Sequence, residues 1–241
     1  MQAIKSVFAD VLRDFEQSPA MQKILSGNIT LEHYKSYLRQ TFHYTRENPQ
    51  IQAQATVYFR GTDRDFIKMF YKHSISEIGH DELALNDLKF FIGDVNSIRT
   101  ENPLPATIAF NAFATYQITN RNPIGYLGHL FFLEFLPTSS GNQYIQILEN
   151  AGIPKEAMSF LIEHTEVDVY QNKLMEKYVQ GLVLTDADLH SVIYTMKGSA
   201  KLYVEMLNAA FAQVDNPVGW GVNYFELERF DKARKQNPLQ E

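Results

Sequence analysis

Imidazole and carboxylate side chains recur in one short segment at intervals that suit metal binding. His73, Glu77 and His80 follow one another at spacings of four and three residues. In a continuous α-helix, Glu77 would lie about 40° around the axis from His73 and about 60° from His80. One narrow face would then carry three potential metal ligands. Taken alone, the segment fits a polar surface face with two ordinary histidines about as well.

A second segment places a single carboxylate among large apolar residues. Glu134 is preceded by Leu130, Phe131, Phe132 and Leu133 and followed by Phe135 and Leu136. A buried ionised carboxylate needs a cation, a hydrogen-bond network or a raised pKa, and a metal ion is the simplest cation. The alternative is that Glu134 faces solvent from the one wet face of its helix.

A third segment repeats the spacing of the first. His164, Asp168 and Gln171 are again separated by four and three residues, so two helices could face each other with matched ligands. The alternative for this segment is an exposed helix with salt bridges, because several other charged residues lie nearby. It is hard to explain two such segments together with Glu134 as ordinary exposed polar residues.

The residue types limit the kind of metal. The chain has no cysteine, so any ion must be held by nitrogen and oxygen atoms. Imidazole mixed with several carboxylates suits iron or manganese with open positions better than structural zinc, and the number of carboxylates allows a bridged pair. A ferritin-like di-iron bundle needs Glu-x-x-His on two helices, whereas this sequence has it once, at Glu77 and His80. The His-Glu-x-x-His signature of metalloproteases is absent.

Helical periodicity predicts an all-α fold that would position these ligands. Apolar residues recur at helical spacing through most of the chain, and alternation typical of strands is hard to find. Thr185 is a predicted N-cap residue, and Pro123 and Pro154 fit first-turn positions of helices. Gly93, Gly152 and Gly181 fall where helices should end. The predicted helices span about 2–16, 19–26, 30–60 with a bend near Asn48 and Pro49, 62–92, 104–119, 122–136, 140–150, 154–178, 185–214 and 221–233.

Composition narrows the class of protein. A chain of 241 residues without an evident linker predicts a single domain over 1–241, with an ordered core over about 1–233. The net charge is -6 and basic residues are spread along the chain, which argues against a nucleic-acid partner. The amphipathic N-terminus is unlike a signal peptide, and the longest apolar run, Leu127 to Leu136, is too short to span a membrane. We therefore expect a cytoplasmic protein without a membrane partner; a homodimer is left open.

These residues together resemble the haem-oxygenase-like di-iron oxidases, a family that includes the chlamydial protein associating with death domains. The resemblance runs from about residue 20 to residue 214 and extends more distantly to thiaminase and pyrroloquinoline-quinone synthase proteins. It implies a helical bundle with a buried metal site. The matching positions are Glu77, His80, Asp81, Asn86, Asp87, Leu88, Pro123, Gly128, Glu134, His164 and Asp168. By this resemblance the iron ligands are Glu77, His80, Glu134, His164 and Asp168.

One position departs from the family pattern. Many members have a histidine three residues after the aspartate, where this sequence has Gln171, a poorer ligand. His73 is the candidate to complete the weaker iron site, because it shares a predicted face with Glu77 and His80.

The resemblance implies an enzyme that uses two Fe(II) ions and O2 to oxidise a small carboxylate-bearing molecule. An amino acid is the first expectation, through C-C cleavage, N-oxygenation or nitrile-forming rearrangement; oxidative decarboxylation of a fatty acid is the alternative. Lys197 and Lys201 are candidates to bind the carboxylate and Tyr44 to line the site, although a solvent-facing position explains the lysines better. A metal-free thiaminase-like protein and a non-enzymatic interaction protein on the same scaffold remain further alternatives.

Overall fold

α-Helices make up the architecture of the protein, as seen in a computed structural model that describes residues 1–59, 63–166 and 168–236. The side chains of residues 166, 168–171, 230, 231 and 233–236 lie outside that description. The described helices are α1 (Gln2–Glu16), α2 (Pro19–Leu25), α3 (Leu31–Thr45), α4 (Asn48–Ala55), α5 (Arg64–Ser76), α6 (His80–Ile92), α7 (Asn96–Thr100), α8 (Pro105–Asn120), α9 (Tyr126–Asn150), α10 (Ser159–Glu166), α11 (Asp168–Leu182), α12 (Asp186–Asp215) and α13 (Tyr224–Gln236).

The all-α prediction is confirmed. Within the described ranges, the only β-type pairing is one isolated antiparallel bridge between Glu101 and Val222. Several predicted helix signals also hold. Thr185 and Asp188 form a capping box at the start of α12, and Gly93 and Gly152 adopt positive φ angles of 76° and 87° at helix ends. Gly181 instead lies inside the last turn of α11.

Two of the differences between the predicted and the observed helices have a clear local cause. The predicted helix 62–92 is interrupted after Ser76, because Gly79 takes a φ of +103° that a right-handed helix cannot include. In the other direction, the helices predicted at 122–136 and 140–150 join into α9, which continues through Pro137. Proline removes one backbone donor, and burial of apolar residues on both sides of Pro137 holds the helix together.

The centre of the fold is the packing of α9 against α12. Gly128 on α9 makes this approach possible, since a Cβ atom at this position would meet the carbonyl oxygen of Val192 and lie 2.7 Å from the backbone nitrogen of Met196. α10 packs on α9 and α6, and α3 packs on α6, α8 and α12. α9 and α10 are therefore held in the interior, where both carry candidate metal ligands. None of the helices in the described ranges is long and apolar enough to cross a membrane.

Candidate metal centre

Four helices deliver the candidate ligands to one interior region. Glu77 follows the last residue of α5, His80 begins α6, Glu134 lies in the middle of α9 and His164 lies on α10. His73 is one turn before Glu77 on α5. The side chains form two groups, and Glu77 belongs to both.

The first group contains Glu77, His80 and His164, whose candidate ligand atoms all lie within 4.8 Å of one another. Nδ1 of His80 is 3.0 Å from Oε2 of Glu77, and the rings of His80 and His164 are 4.7 Å apart between centroids. Nδ1 of His164 lies 2.7 Å from the carbonyl oxygen of Phe160. A proton on Nδ1 is required for that bond, so Nε2 of His164 is left with a lone pair for a metal ion.

The second group contains His73, Glu77 and Glu134, again with candidate ligand atoms within 4.8 Å of one another. Nε2 of His73 lies 3.2 Å from Oε1 of Glu134 and 3.5 Å from Oε1 of Glu77. These are ion-pair distances, but neither contact has the geometry of a hydrogen bond, and both ring nitrogens of this buried histidine lack a hydrogen-bond partner. A buried imidazole that faces two carboxylates in this way needs either a proton on Nε2 or a metal cation bound there.

Glu77 links the two groups through its two carboxylate oxygens. Oε1 faces His73 and Oε2 faces His80. The two oxygens face different histidines because the helix is interrupted at this point. Glu77 directly follows α5, and the left-handed conformation of Gly79 turns the chain so that His80 begins a new helix. A carboxylate placed in this way can bridge two metal ions.

The histidines and glutamates of the cluster shift one another's pKa values. Burial by itself lowers the pKa of His73, but the carboxylates of Glu134 and Glu77 outweigh burial and raise this pKa to about 10. Burial would raise the pKa of Glu77, yet His73 and His80 hold it well below its usual range. Burial lowers the pKa of His164, and so does the neighbouring His80. A proton on His73 thus balances the acids when no metal is bound, and metal binding at its Nε2 must displace that proton.

The donor set fits a pair of iron ions. The first group offers two imidazoles and a carboxylate, and the second offers one imidazole and two carboxylates. Nitrogen and oxygen ligands of this mixture, with no thiolate, suit ferrous iron and leave coordination positions open. Nε2 of His73 faces both Glu77 and Glu134 without a hydrogen bond, so it is the nitrogen that would bind an ion in the second group.

The remaining predicted site residues have different outcomes. The side chain of Asp168 lies outside the described residues, so its predicted role as a ligand stays a prediction. Tyr44 is buried and lines the internal cavity next to the cluster. Lys197 and Lys201 are exposed on α12 and do not line that cavity, so their predicted contact with substrate gains no support from the cavity and stays a prediction. Gly198 between them packs toward Phe113 on α8 and not toward the site.

The cavity beside the ligands is mainly apolar. Its polar part consists of Glu77, Glu134 and His164 together with Thr45, Asn48, Gln52 and Thr165. Its apolar and aromatic lining includes Phe15, Met21, Ile24, Ile29, Tyr34, Tyr37, Tyr44, Tyr126, Leu130, Leu133, Leu136, Leu148, Phe160, Tyr203, Leu207 and Phe211. The sequence analysis did not identify Tyr126 and Tyr203 as lining residues, because aromatic residues at helical spacing usually belong to the hydrophobic core.

The cavity is elongated along α9. Glu134 and Leu148 both line it, and fourteen residues of helix separate them, which corresponds to about 21 Å along an ideal axis. No lysine or arginine is part of the lining contributed by described residues. The lining of the cavity therefore suits an apolar molecule better than a charged one.

Comparisons with solved structures bear out the predicted fold. A domain of unknown function with a heme oxygenase-like fold from Shewanella denitrificans OS217 is similar with a TM-score of 0.75 and 23% identity, over 90% of this chain and 94% of that chain. A TenA homologue protein from P. horikoshii OT3 is similar with a TM-score of 0.70 and 13% identity, over 88% of this chain and 97% of that chain. At these identities the likeness shows the haem-oxygenase-like fold alone.

Comparisons by sequence identify the family. No curated protein matches the sequence significantly. The model of a family described as iron-containing redox enzymes matches residues 35–204, which include His73, Glu77, His80, Glu134 and His164. Because this match covers more than half of the chain, the protein belongs to the family of iron-containing redox enzymes.

Proposed function

We propose that this protein is an O2-dependent non-haem di-iron oxidoreductase of the haem-oxygenase-like di-iron oxidase group. The observation that carries the proposal is the position of Glu77, whose two oxygens face two separate groups of ligands. A single-ion site would not need this arrangement. His80 and His164 would hold one ion with Glu77, and His73 and Glu134 would hold the other with Glu77; Asp168 is the further candidate ligand.

The chain's own residues would prepare the site for oxidation chemistry. Two ferrous ions bound here would supply electrons for the reduction of O2. The buried positions of His73, Glu77 and Glu134 exclude bulk water from the cluster. The bond from His164 to the Phe160 carbonyl fixes the imidazole for coordination. Apolar residues along α9 would hold the substrate beside the ions.

The cavity lining favours the fatty-acid alternative over an amino acid. An amino acid and an aliphatic acid share the carboxylate, but the amino acid adds an ammonium group, and burying this group would demand an anionic partner beyond the metal ligands. The elongated apolar lining instead suits an aliphatic chain, with its polar end directed at the ligands. We propose an unbranched aliphatic acid as the substrate class.

Iron stoichiometry tests the proposed centre. Anaerobic titration with Fe(II), followed by removal of free metal and iron analysis, should give close to two ions per chain for the parent protein. His164→Ala and Glu134→Ala should each retain about one ion, because each removes a ligand from a different group. His190→Ala removes an exposed histidine on α12 and serves as the matched control, with parent-like iron content.

Two results would separate the alternatives. A metal-free thiaminase-like protein or an interaction protein would bind no iron tightly in any of these variants. If His164→Ala and Glu134→Ala bind as much iron as the parent protein, the ligand assignment is wrong even if iron is bound.

Substrate binding tests the proposed chemical class. Saturated aliphatic acids of increasing length should raise the melting temperature of the iron-loaded protein, whereas amino acids should leave it unchanged. Leu148→Phe, which adds volume to the cavity wall far from Glu134, should weaken binding of the longest acids by about tenfold and spare the short ones. Leu182→Phe enlarges a buried residue outside the cavity and controls for overpacking. Stabilisation by amino acids alone would contradict the proposed class.

A further inference from the structure

Asp87 connects the two helices that carry His80 and His164. Asp87 is on α6 and only 2% exposed. Its Oδ1 accepts hydrogen bonds from the backbone nitrogen and the hydroxyl of Ser159, at 3.0 and 2.6 Å, and its Oδ2 accepts one from the backbone nitrogen of Phe160, at 2.9 Å. The carboxylate of one helix thereby caps the N-terminus of another.

The two helices are held together at two levels. Asp87 lies seven residues after His80, about 10.5 Å along α6 and nearly on the same face. Asp87 contacts the first residues of α10, and His80 contacts His164 near the other end of α10. The helices therefore run antiparallel, with the Asp87 bonds at one end and the imidazole pair at the other.

The bonds of Asp87 also lead directly to the ring of His164. Phe160 donates its N–H to Oδ2 of Asp87, and its carbonyl oxygen accepts the bond from Nδ1 of His164. Fixing the backbone of Phe160 fixes the acceptor that sets both the orientation and the tautomer of His164. A solvent-exposed cap of α10 would leave this backbone free to shift relative to α6.

We infer that Asp87 is a positioning residue for the metal centre, which holds α10 on α6 so that Nε2 of His164 faces the ligands Glu77 and His80. The inference rests on the proposed function, because it assigns His164 as a ligand. It goes beyond a contribution to stability: the loss of Asp87 changes the geometry of one metal group and leaves the other group, His73 with Glu134, in place.

Cobalt binding tests this role without any need for catalysis. Co(II) is titrated into the parent protein, Asp87→Asn and Asp188→Asn under argon, with the visible absorption of the bound ion as the readout. In Asp87→Asn one acceptor oxygen becomes an amide donor that opposes a backbone N–H. We expect the Co(II) affinity of one of the two sites to fall by about tenfold, the low end of what outer-shell substitutions cost, with an altered absorption envelope.

Asp188→Asn is the matched control. Asp188 caps α12 through bonds with Thr185, Leu184 and Asn122, away from the ligands. It should lower the melting temperature and leave the cobalt spectrum and affinity like those of the parent protein. Asp87 has no specific positioning role if Asp87→Asn keeps the cobalt affinity and spectrum of the parent protein. The same conclusion holds if Asp188→Asn changes the affinity and the spectrum as much as Asp87→Asn does.

Two further measurements keep the inference testable. Ser159→Ala removes only the 2.6 Å bond and retains the two backbone bonds, so it should fold and weaken one cobalt site by about twofold. The tautomer of His164, followed by ¹⁵N NMR, should be Nδ1–H in the metal-free parent protein and mixed in Asp87→Asn. A parent protein that binds no cobalt defeats the proposed function; a tautomer unaffected by Asp87→Asn defeats this inference alone.

Discussion

Glu77→Gln is expected to remove iron from both groups of ligands and to reduce O2-dependent activity more than about 100-fold, which is beyond the usual cost of an outer-shell change. Glutamine keeps the size of the side chain but has no negative charge, and its amide nitrogen cannot ligate an ion. Both ions would lose a shared ligand at once, unlike the single losses expected for His164→Ala and Glu134→Ala. Iron content per chain and O2 consumption are the measurements.

Glu163→Gln is the matched control for this variant. Glu163 is an exposed carboxylate whose Oε1 lies 3.9 Å from Nε2 of His80, so it is close to the centre without belonging to either group. The same chemical change there should preserve iron content. If Glu77→Gln retains two ions per chain, the bridging position of Glu77 has no role in metal binding, and the di-iron proposal fails.

Gly128→Ala is expected to cost about 3 kcal/mol of unfolding free energy, the upper end of the usual overpacking penalty. The added Cβ would meet backbone atoms of Val192 and Met196 on α12, and backbone cannot rotate away as a side chain can. α9 and α12 would have to separate, which would also displace Glu134. Chemical denaturation of the metal-free protein measures the stability change without the contribution of bound iron.

Gly219→Ala gives the matched comparison for the glycine substitution. A Cβ atom at Gly219 meets nothing within 4 Å, and the backbone there does not need a positive φ angle. The expected change in unfolding free energy is within about 0.5 kcal/mol. Equal stabilities of the two variants would show that α9 and α12 do not depend on the close approach at Gly128.

The sequence was sufficient to predict the fold class and to assemble most of the candidate centre. His73, Glu77, His80, Glu134 and His164 do come together in the interior. Their convergence could be predicted because burying a carboxylate among apolar residues has an energetic cost that nearby imidazoles or a cation would offset.

The details that failed depend on information that periodicity does not contain. The ligand face was predicted on one continuous helix, but Gly79 breaks it, and helical spacing on either side of a glycine looks the same whether or not the glycine is left-handed. Helical spacing also does not show which side of the long helix α12 faces the centre: Lys197 and Lys201 are exposed, and Gly198 between them faces α8.

The shared carboxylate has a thermodynamic consequence for how the centre fills. An ion bound by His80 and His164 would immobilise Glu77, which would reduce the entropy cost of binding a second ion beside His73. The positive charge of the first ion would at the same time repel the second ion. Whatever the balance, linkage requires the first ion to change the affinity for the second by the same factor as the reverse. Two ions that share Glu77 would therefore change each other's affinity unless the two effects cancelled, and their titration would then require two dissociation constants.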